Sequence, residues 1–124
     1  MKTTYQFEVE KIVAKPRMTR ADKWKQRPVV LEYWKFADQM RRLADKQNMP
    51  KLPQILELEF CIAMPESWSE KKKKQYEDQL HTTKPDIDNL IKSVLDIFCE
   101  NDSYISSIKA TKYYTRTNII RIII

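Results

Sequence analysis

Apolar and polar residues alternate in two stretches of the chain, as they do in strands that bury one face. These stretches are Tyr5–Val13 and Leu56–Met64. Two further strands are predicted over Tyr104–Thr115 and Asn118–Ile124. Because only Arg116-Thr117 separates them, we expect the last two strands to form a hairpin.

Helical spacing of apolar residues predicts two longer helices. The first is Val29–Gln47, which ends before Asn48-Met49-Pro50. The second is the clearest amphipathic helix in the chain, and its apolar face consists of Ile87, Leu90, Ile91, Val94, Leu95 and Phe98. Between them, Ser69 can cap a short polar helix over Glu70–Gln79.

The resulting order, β-α-β-α-α-β-β, predicts an α+β fold with a single mixed sheet of about four strands packed with helices. A chain of 124 residues fits one domain, which we expect to span residues 1–124. The net charge of +6 and the pI near 9.3 favour binding to nucleic acid or to another anionic surface.

Several classes of function are disfavoured by composition. The chain contains no glycine, which excludes the glycine-rich loops of Walker and dinucleotide sites and hence a nucleotide cofactor bound in those ways. No apolar run reaches the roughly 18 residues of a membrane span, and the N-terminus lacks an apolar signal core. Cys61 and Cys99 have no C-x-x-C spacing and are predicted to be reduced thiols in a cytoplasmic protein.

The acidic residues at the start of the predicted second long helix carry the candidate chemistry. Asp86 and Asp88 stand two residues apart, where an extended approach lets both carboxylates converge on one cation. Mg²⁺ takes one or two protein carboxylates and completes its shell with water and phosphate oxygens. The alternative is helix capping, although one cap accounts for one aspartate.

Two further residues of this helix lie on the same face as Asp88. Lys92 follows one turn later and is either a surface ion-pair partner or a cation that stabilises charge on a scissile phosphate. Asp96 lies about 12 Å along the helix from Asp88 and is predicted either to have a structural role or to support a metal ligand from behind. Asn89 adjoins this face and can either orient a ligand or complete the helix cap.

A third acid, Asp102, raises a geometric difficulty. The helix from Asp88 to Cys99 is roughly 16 Å long, and Asp102 follows its far end. Either the chain folds back along the helix, or Asp102 comes from a second subunit. Antiparallel helices related by a two-fold axis would bring the Asp102 of one chain near Asp86 and Asp88 of the other.

The loop after the first strand is predicted to contact DNA phosphates. The residues assigned to this contact are Lys15, Arg17, Arg20, Lys23, Lys25, Arg27 and, before the acidic motif, Lys84. In that case Trp24, in the same loop, stacks on an exposed base or wedges a junction; the alternative is a solvated loop with Trp24 packed in the core. Trp34 and Trp68 are assigned to packing, and the four lysines at 71–74 are either a solvated helix face or a further DNA contact.

The segment Lys84-Pro85-Asp86-Ile87-Asp88-Asn89-Leu90-Ile91-Lys92, followed by Leu95-Asp96 and Asn101-Asp102, resembles the signature of the RusA-like Holliday-junction resolvases of phages and prophages. The resemblance is closest over Lys84–Ile105. Two positions depart from the family pattern. Asn101 stands where many members have aspartate, and Tyr104 stands where glutamine is common.

This resemblance implies a crossover junction endodeoxyribonuclease, a homodimer that nicks four-way DNA junctions symmetrically during recombination and repair. It implies Mg²⁺ as cofactor, with Mn²⁺ as the alternative ion, and assigns metal binding and catalysis to Asp86, Asp88 and Asp102, assisted by Lys92. Two other functions are compatible with the residues. One is a DNA-binding protein without catalysis, and the other is a nuclease for flaps or other branched nucleic acid.

Overall fold

The computed structural model describes residues 2–20 and 27–124. Its elements, in chain order, are β1 (Thr4–Glu8), α1 (Pro28–Lys46), β2 (Ile55–Ala63), α2 (Glu70–Tyr76), α3 (Ile87–Phe98), β3 (Ser107–Thr115) and β4 (Ile119–Ile123). The predicted order of elements is confirmed, and so is the α+β fold with one mixed four-stranded sheet.

The strands lie in the order β1-β4-β2-β3, and the predicted hairpin between the last two strands is wrong. β2 lies between them, parallel to β3 and antiparallel to β4. The short connection crosses the end of β2, where the backbone N–H of Met64 donates to Thr115 O (2.8 Å) and that of Ala63 donates to Asn118 Oδ1 (2.8 Å). Ile120 and Ile122 are fully buried, because β4 is a central strand with β1 on its other side.

Three strands are shorter than their sequence patterns predicted, and β4 loses only one residue at each end. β1 ends at Glu8, although Ile12 and Val13 beyond it are buried. These residues continue the apolar pattern because they pack on the core as the chain leaves the sheet. β3 begins at Ser107 rather than Tyr104 because the preceding residues form a turn.

The core lies between the sheet and the two long helices. One sheet face is apolar, and its side chains share a single buried cluster with those of α1 and α3, including Phe7, Leu58, Phe60, Tyr33, Met40, Leu90 and Val94. The other face is polar, where Arg121 pairs with Glu59 (3.6 Å) and Lys109 with Glu57 (3.7 Å). Within the described ranges, no helix combines the length and the apolarity needed to cross a membrane.

α1 differs from its prediction in which aromatic residue it buries. Tyr33 is 1% exposed, whereas Trp34, predicted to pack, is 39% exposed. Tyr33, Ala37 and Met40 fall at i, i+4 and i+7, so they share the face that meets the core. Trp34 is one residue out of this spacing and stacks edge-on against Tyr33, with ring centroids 5.2 Å apart.

Candidate active site at the start of helix α3

The segment that leads to the acidic residues is attached to the outer edge of β3. The N–H of Asp78 donates to Tyr114 O (2.7 Å), the N–H of Tyr114 to Gln79 O (2.9 Å), and the N–H of His81 to Lys112 O (3.0 Å). These three bonds surround an isolated antiparallel bridge between Leu80 and Tyr113, so the segment before α3 is attached to the edge of the sheet.

Asp86 and Asp88 present free carboxylates at the start of α3. Asp86 is the N-cap residue, with extended backbone (φ −69°, ψ 141°), yet its side chain makes no capping hydrogen bond. Asp88 lies in the first turn, and both residues are exposed. In the described part of the chain, neither carboxylate has a hydrogen-bond or ion-pair partner. Capping therefore does not account for the Asp86 carboxylate.

A groove runs beside this end of α3, between the helix and the segment that follows β1. Its volume is about 560 Å³, and its lining residues are Lys15, Pro16, Arg17, Met18, Asn89 and Lys92. Lys92 is exposed and lies one turn after Asp88. The groove therefore combines cationic side chains with the helix face that carries Asp88, which suits a phosphate approaching a carboxylate-bound metal ion.

Two contacts hold the groove together. Ser93 Oγ donates to the backbone carbonyl of Val13 (2.9 Å) from a buried position. Lys15 Nζ pairs with Asp96 Oδ2 at 2.8 Å, and both side chains are 27% exposed. Asp96 thus fixes the segment after β1 against α3, which favours the structural one of its two predicted roles. Part of the charge of Lys15, predicted as a DNA contact, is offset inside the chain.

The remaining predicted DNA contacts are distributed around the groove. Arg17 and Arg20 are exposed, and Arg27 Nη2 donates to the carbonyl of Arg17 at 2.6 Å. Lys84 is exposed immediately before the acidic motif. Lys23 and Lys25, together with Trp24, lie outside the described residues.

Asp102 lies in a turn that follows the opposite end of α3. The N–H of Ser103 donates to Asn101 Oδ1 (3.0 Å), and the N–H of Ile105 donates to the carbonyl of Asp102 (3.0 Å). Tyr104 OH donates to Leu52 O at 2.8 Å and ties the turn to the chain before β2. Asp102 is exposed. Asn101 therefore shapes the turn at the position where the family signature often has aspartate.

The three predicted metal ligands do not form one cluster within a single chain. Over residues 2–20 and 27–124, no group of three or more histidine, cysteine, aspartate or glutamate side chains is arranged to hold a metal ion. Asp86 and Asp88 lie at one end of α3, and Asp102 lies beyond the other end. Asp86 and Asp88 by themselves fit the two-carboxylate set that Mg²⁺ accepts.

Next to the approach segment is an aromatic cluster that the sequence did not predict. His81 is 9% exposed and lies against Tyr114, with ring centroids 4.5 Å apart. Burial, reinforced by the nearby charge of Lys112, lowers the pKa of His81 below its ordinary value. Trp68 packs on Tyr114 at 5.6 Å, which agrees with its predicted packing role, and Lys72 Nζ lies 4.2 Å from the Trp68 ring.

Sequence reasoning also missed Lys112. Its Nζ donates to the carbonyls of Thr83 and Pro85, at 2.8 Å each. Lys112 is paired with Phe60 in the parallel ladder and shares the core-facing side of the sheet with Ala110 and Tyr114. The available signal was therefore a lysine at an inward-facing position of a strand, a placement that requires a polar partner.

Comparison with known proteins agrees with the motif. The family model described as "Endodeoxyribonuclease RusA" matches residues 7–124. No curated protein and no solved structure matches the chain. The matched range contains α3, the groove beside it and all three acids, so the chain belongs to the RusA family of endodeoxyribonucleases.

Proposed function

We propose that this chain is a Mg²⁺-dependent endonuclease that resolves four-way DNA junctions by paired symmetric nicks. The observation that carries the proposal is the pair of exposed carboxylates of Asp86 and Asp88 at the start of α3, which have no partner among residues 2–20 and 27–124 and lie beside a groove lined by cationic side chains. Membership of the RusA family supports the same reaction class.

Asp86 and Asp88 would hold the divalent ion. Carboxylate oxygens are hard donors, and two of them leave room for water and a phosphate oxygen, which suits Mg²⁺ and also Mn²⁺. When bound, the ion supplies a water of lowered pKa and offsets negative charge on the phosphate. Since both carboxylates are exposed, DNA can reach the ion without a rearrangement of the core.

Lys92 would stabilise the charge that develops on the phosphate or on its leaving oxygen. It lines the groove together with Arg17, so a strand in the groove would meet cations on both walls. Arg20, Arg27 and Lys84 would bind neighbouring phosphates. Because phosphate contacts release counterions, junction affinity should fall steeply with salt.

The third carboxylate would come from a second copy of the chain. Asp102 is separated from Asp86 by α3, whose twelve residues span about 18 Å. A two-fold axis that sets two α3 helices antiparallel would bring the Asp102 of each protomer to the Asp86 and Asp88 of its partner. Two such sites in one homodimer would also account for symmetric nicks.

The test is cleavage of a labelled four-way junction with Mg²⁺, beside a linear duplex and a flap of the same arm sequences. The variant is Asp88→Asn, and the matched control is Asp45→Asn, which removes an exposed carboxylate from α1. We expect paired nicks in the junction for the wild type and the control. We expect no nicks from Asp88→Asn, which should still bind the junction.

Two outcomes would overturn the proposal. Wild-type protein that binds the junction but never nicks it would favour a DNA-binding protein without catalysis. Equal cleavage of the flap and the junction would remove the junction selectivity and leave a nuclease for branched DNA in general.

A further inference from the structure

Lys112 connects the edge strand of the sheet to the two residues on either side of Lys84. Its ammonium group donates to the carbonyl oxygens of Thr83 and Pro85, each at 2.8 Å. Both carbonyls belong to the segment that enters α3. Lys112 makes these bonds from the core-facing side of β3, where its ladder partner is Phe60. The lysine therefore acts across 27 and 29 residues of sequence to hold the start of the acidic motif.

The carbonyl of Pro85 is covalently joined to the backbone nitrogen of Asp86. Because the peptide group is planar, fixing Pro85 O also fixes the plane that contains the Asp86 nitrogen and Cα. The Asp86 carboxylate has no hydrogen bond of its own within the described residues. Its position is therefore set by the backbone, and on the N-terminal side that backbone is held by Lys112.

Neighbouring contacts also attach the segment before α3 to β3 around Lys112. The carbonyl of Lys112 accepts the N–H of His81 (3.0 Å), so the same residue binds the approach segment through its backbone and its side chain. Thr82 Oγ1 and Tyr114 OH lie 3.4 Å apart. The segment from His81 to Pro85 is thus attached to β3 at successive points, and Lys112 makes the last of these before Asp86.

We propose that Lys112 is a positioning residue for the metal site: it binds the carbonyls of Thr83 and Pro85 and thereby sets where Asp86 meets the ion. This inference rests on the proposed function, because it takes Asp86 as a metal ligand. Lys112 touches neither the ion nor DNA in this role. Its loss should weaken metal use and turnover while leaving junction binding nearly unchanged.

The decisive variant is Lys112→Met, which keeps the length of the side chain and removes the donor. The matched control is Lys109→Met on the same strand, where the exposed Lys109 pairs across the sheet with Glu57 at 3.7 Å. Both variants lose one positive charge from β3. A difference between them therefore reports the two carbonyl bonds and not the net charge of the protein.

Three quantities are measured for each variant: the cleavage rate at saturating Mg²⁺, the Mg²⁺ concentration at half-maximal rate, and the Kd for the junction without divalent metal. For Lys112→Met we expect the cleavage rate to fall, or the Mg²⁺ concentration at half-maximal rate to rise, by about 10- to 100-fold. An effect of this size is typical when a group that orients a metal ligand is lost. The junction Kd should change less than about two-fold, since no phosphate contact is removed. Lys109→Met should match the wild type in all three.

Lys112→Arg provides a second test in case the methionine variant does not fold. A guanidinium can donate to both carbonyls, so this variant should regain most of the lost activity. If Lys112 only stabilised the fold, Lys112→Met would lower the melting temperature while the rate per folded molecule and the Mg²⁺ requirement stayed at the level of Lys109→Met. That result would overturn the proposal.

His81 provides a readout that does not depend on nuclease activity, because it is the only histidine in the chain. Lys112 is one of the causes of its lowered pKa, so an NMR titration of His81 should show a higher pKa in Lys112→Met and no change in Lys109→Met. If the wild type cleaves nothing, the proposed function fails while this titration still tests the contact. If the wild type cleaves and both variants behave alike, the positioning role fails alone.

Discussion

The two ends of helix α3 present their acidic residues in different ways. At the first end, Asp86 follows a segment that is bound to β3 by backbone hydrogen bonds and by Lys112. At the second end, Asp102 lies in a turn that Tyr104 ties to Leu52. In both places the backbone is held while the carboxylate remains exposed.

At both ends of α3, the groups that hold the backbone differ from the groups that can bind a ligand. Hydrogen bonds to the main chain fix the position of each acid, and the side-chain oxygens are left available for a ligand. The helix also keeps the two ends about 18 Å apart, too far for a shared ion. Within the described residues, Asp102 therefore lies too far from Asp86 and Asp88 to share an ion with them in the same chain.

The largest effects are expected from the acids themselves. Asp86→Asn and Asp102→Asn should each lower the rate of junction cleavage by on the order of 10³-fold or more, because each removes charge that holds the ion in the transition state. The measurement is single-turnover cleavage with Mg²⁺, with Asp45→Asn as the control. A normal cleavage rate for Asp102→Asn would show that only the acids at the first end of α3 are needed for cleavage.

Lys92→Met should have the next largest effect, a loss of about 10²- to 10³-fold in the cleavage rate at saturating Mg²⁺. The side chain lines the groove one turn after Asp88, so its charge acts mainly on the developing negative charge of the phosphate. Junction affinity should fall far less than the rate. Equal losses in affinity and rate would instead assign Lys92 to ground-state phosphate binding.

The double variant Arg17→Ala, Arg20→Ala should act on binding instead of chemistry. Losing two phosphate contacts should reduce the slope of log Kd against log salt by about 2 and weaken binding at low salt. Fluorescence anisotropy of a junction without divalent metal measures both quantities. The control, Arg42→Ala with Lys46→Ala, removes the same charge from exposed positions of α1 and should leave the slope unchanged.

The smallest expected effect is the contribution of His81 to the pH dependence of the free energy of unfolding. Its pKa is lowered in the folded protein, chiefly by burial, so the unfolded chain binds a proton first as pH falls. The free energy of unfolding should be unaffected by this group above the unfolded pKa of about 6.5 and should decrease as pH falls below it. His81→Phe should flatten the dependence of the urea midpoint on pH between about 7 and 5; an unchanged slope would rule out this cause.

The parts of the fold that the sequence predicted are those with a local signal. α3 was predicted from Asp88 to about Cys99 and is observed as Ile87–Phe98, within one residue at each end, because an amphipathic repeat is visible within one segment. The hairpin was predicted because strands that are close in sequence often pair with each other. The prediction was wrong because β3 and β4 both pair with β2 instead. The parallel pairing of β2 with β3, which two helices separate in sequence, cannot be recognised from the residue pattern of either strand alone.

The candidate site also has parts that the sequence predicts and parts that only the folded chain shows. Asp86, Asp88 and Lys92 stand in one continuous motif, so their grouping was predictable from spacing. The contacts of Lys15 with Asp96 and of Lys112 with Pro85 join residues 81 and 27 positions apart, and only the folded chain brings them together. The separation of Asp102 from the other acids was predictable because helix length alone fixes it.

Subunit mixing of Asp86→Asn with Asp102→Asn protein, each inactive alone, tests whether the site is built from two chains. If the acids from the two ends of α3 meet across two chains, a mixed dimer has one site with both changes and one intact site. Equal mixing with free exchange then makes half of the dimers mixed and restores about a quarter of the wild-type sites. Recovered junction cleavage, one nick per mixed dimer, is the predicted result. No recovery, with exchange verified and the wild type active, would contradict the shared site.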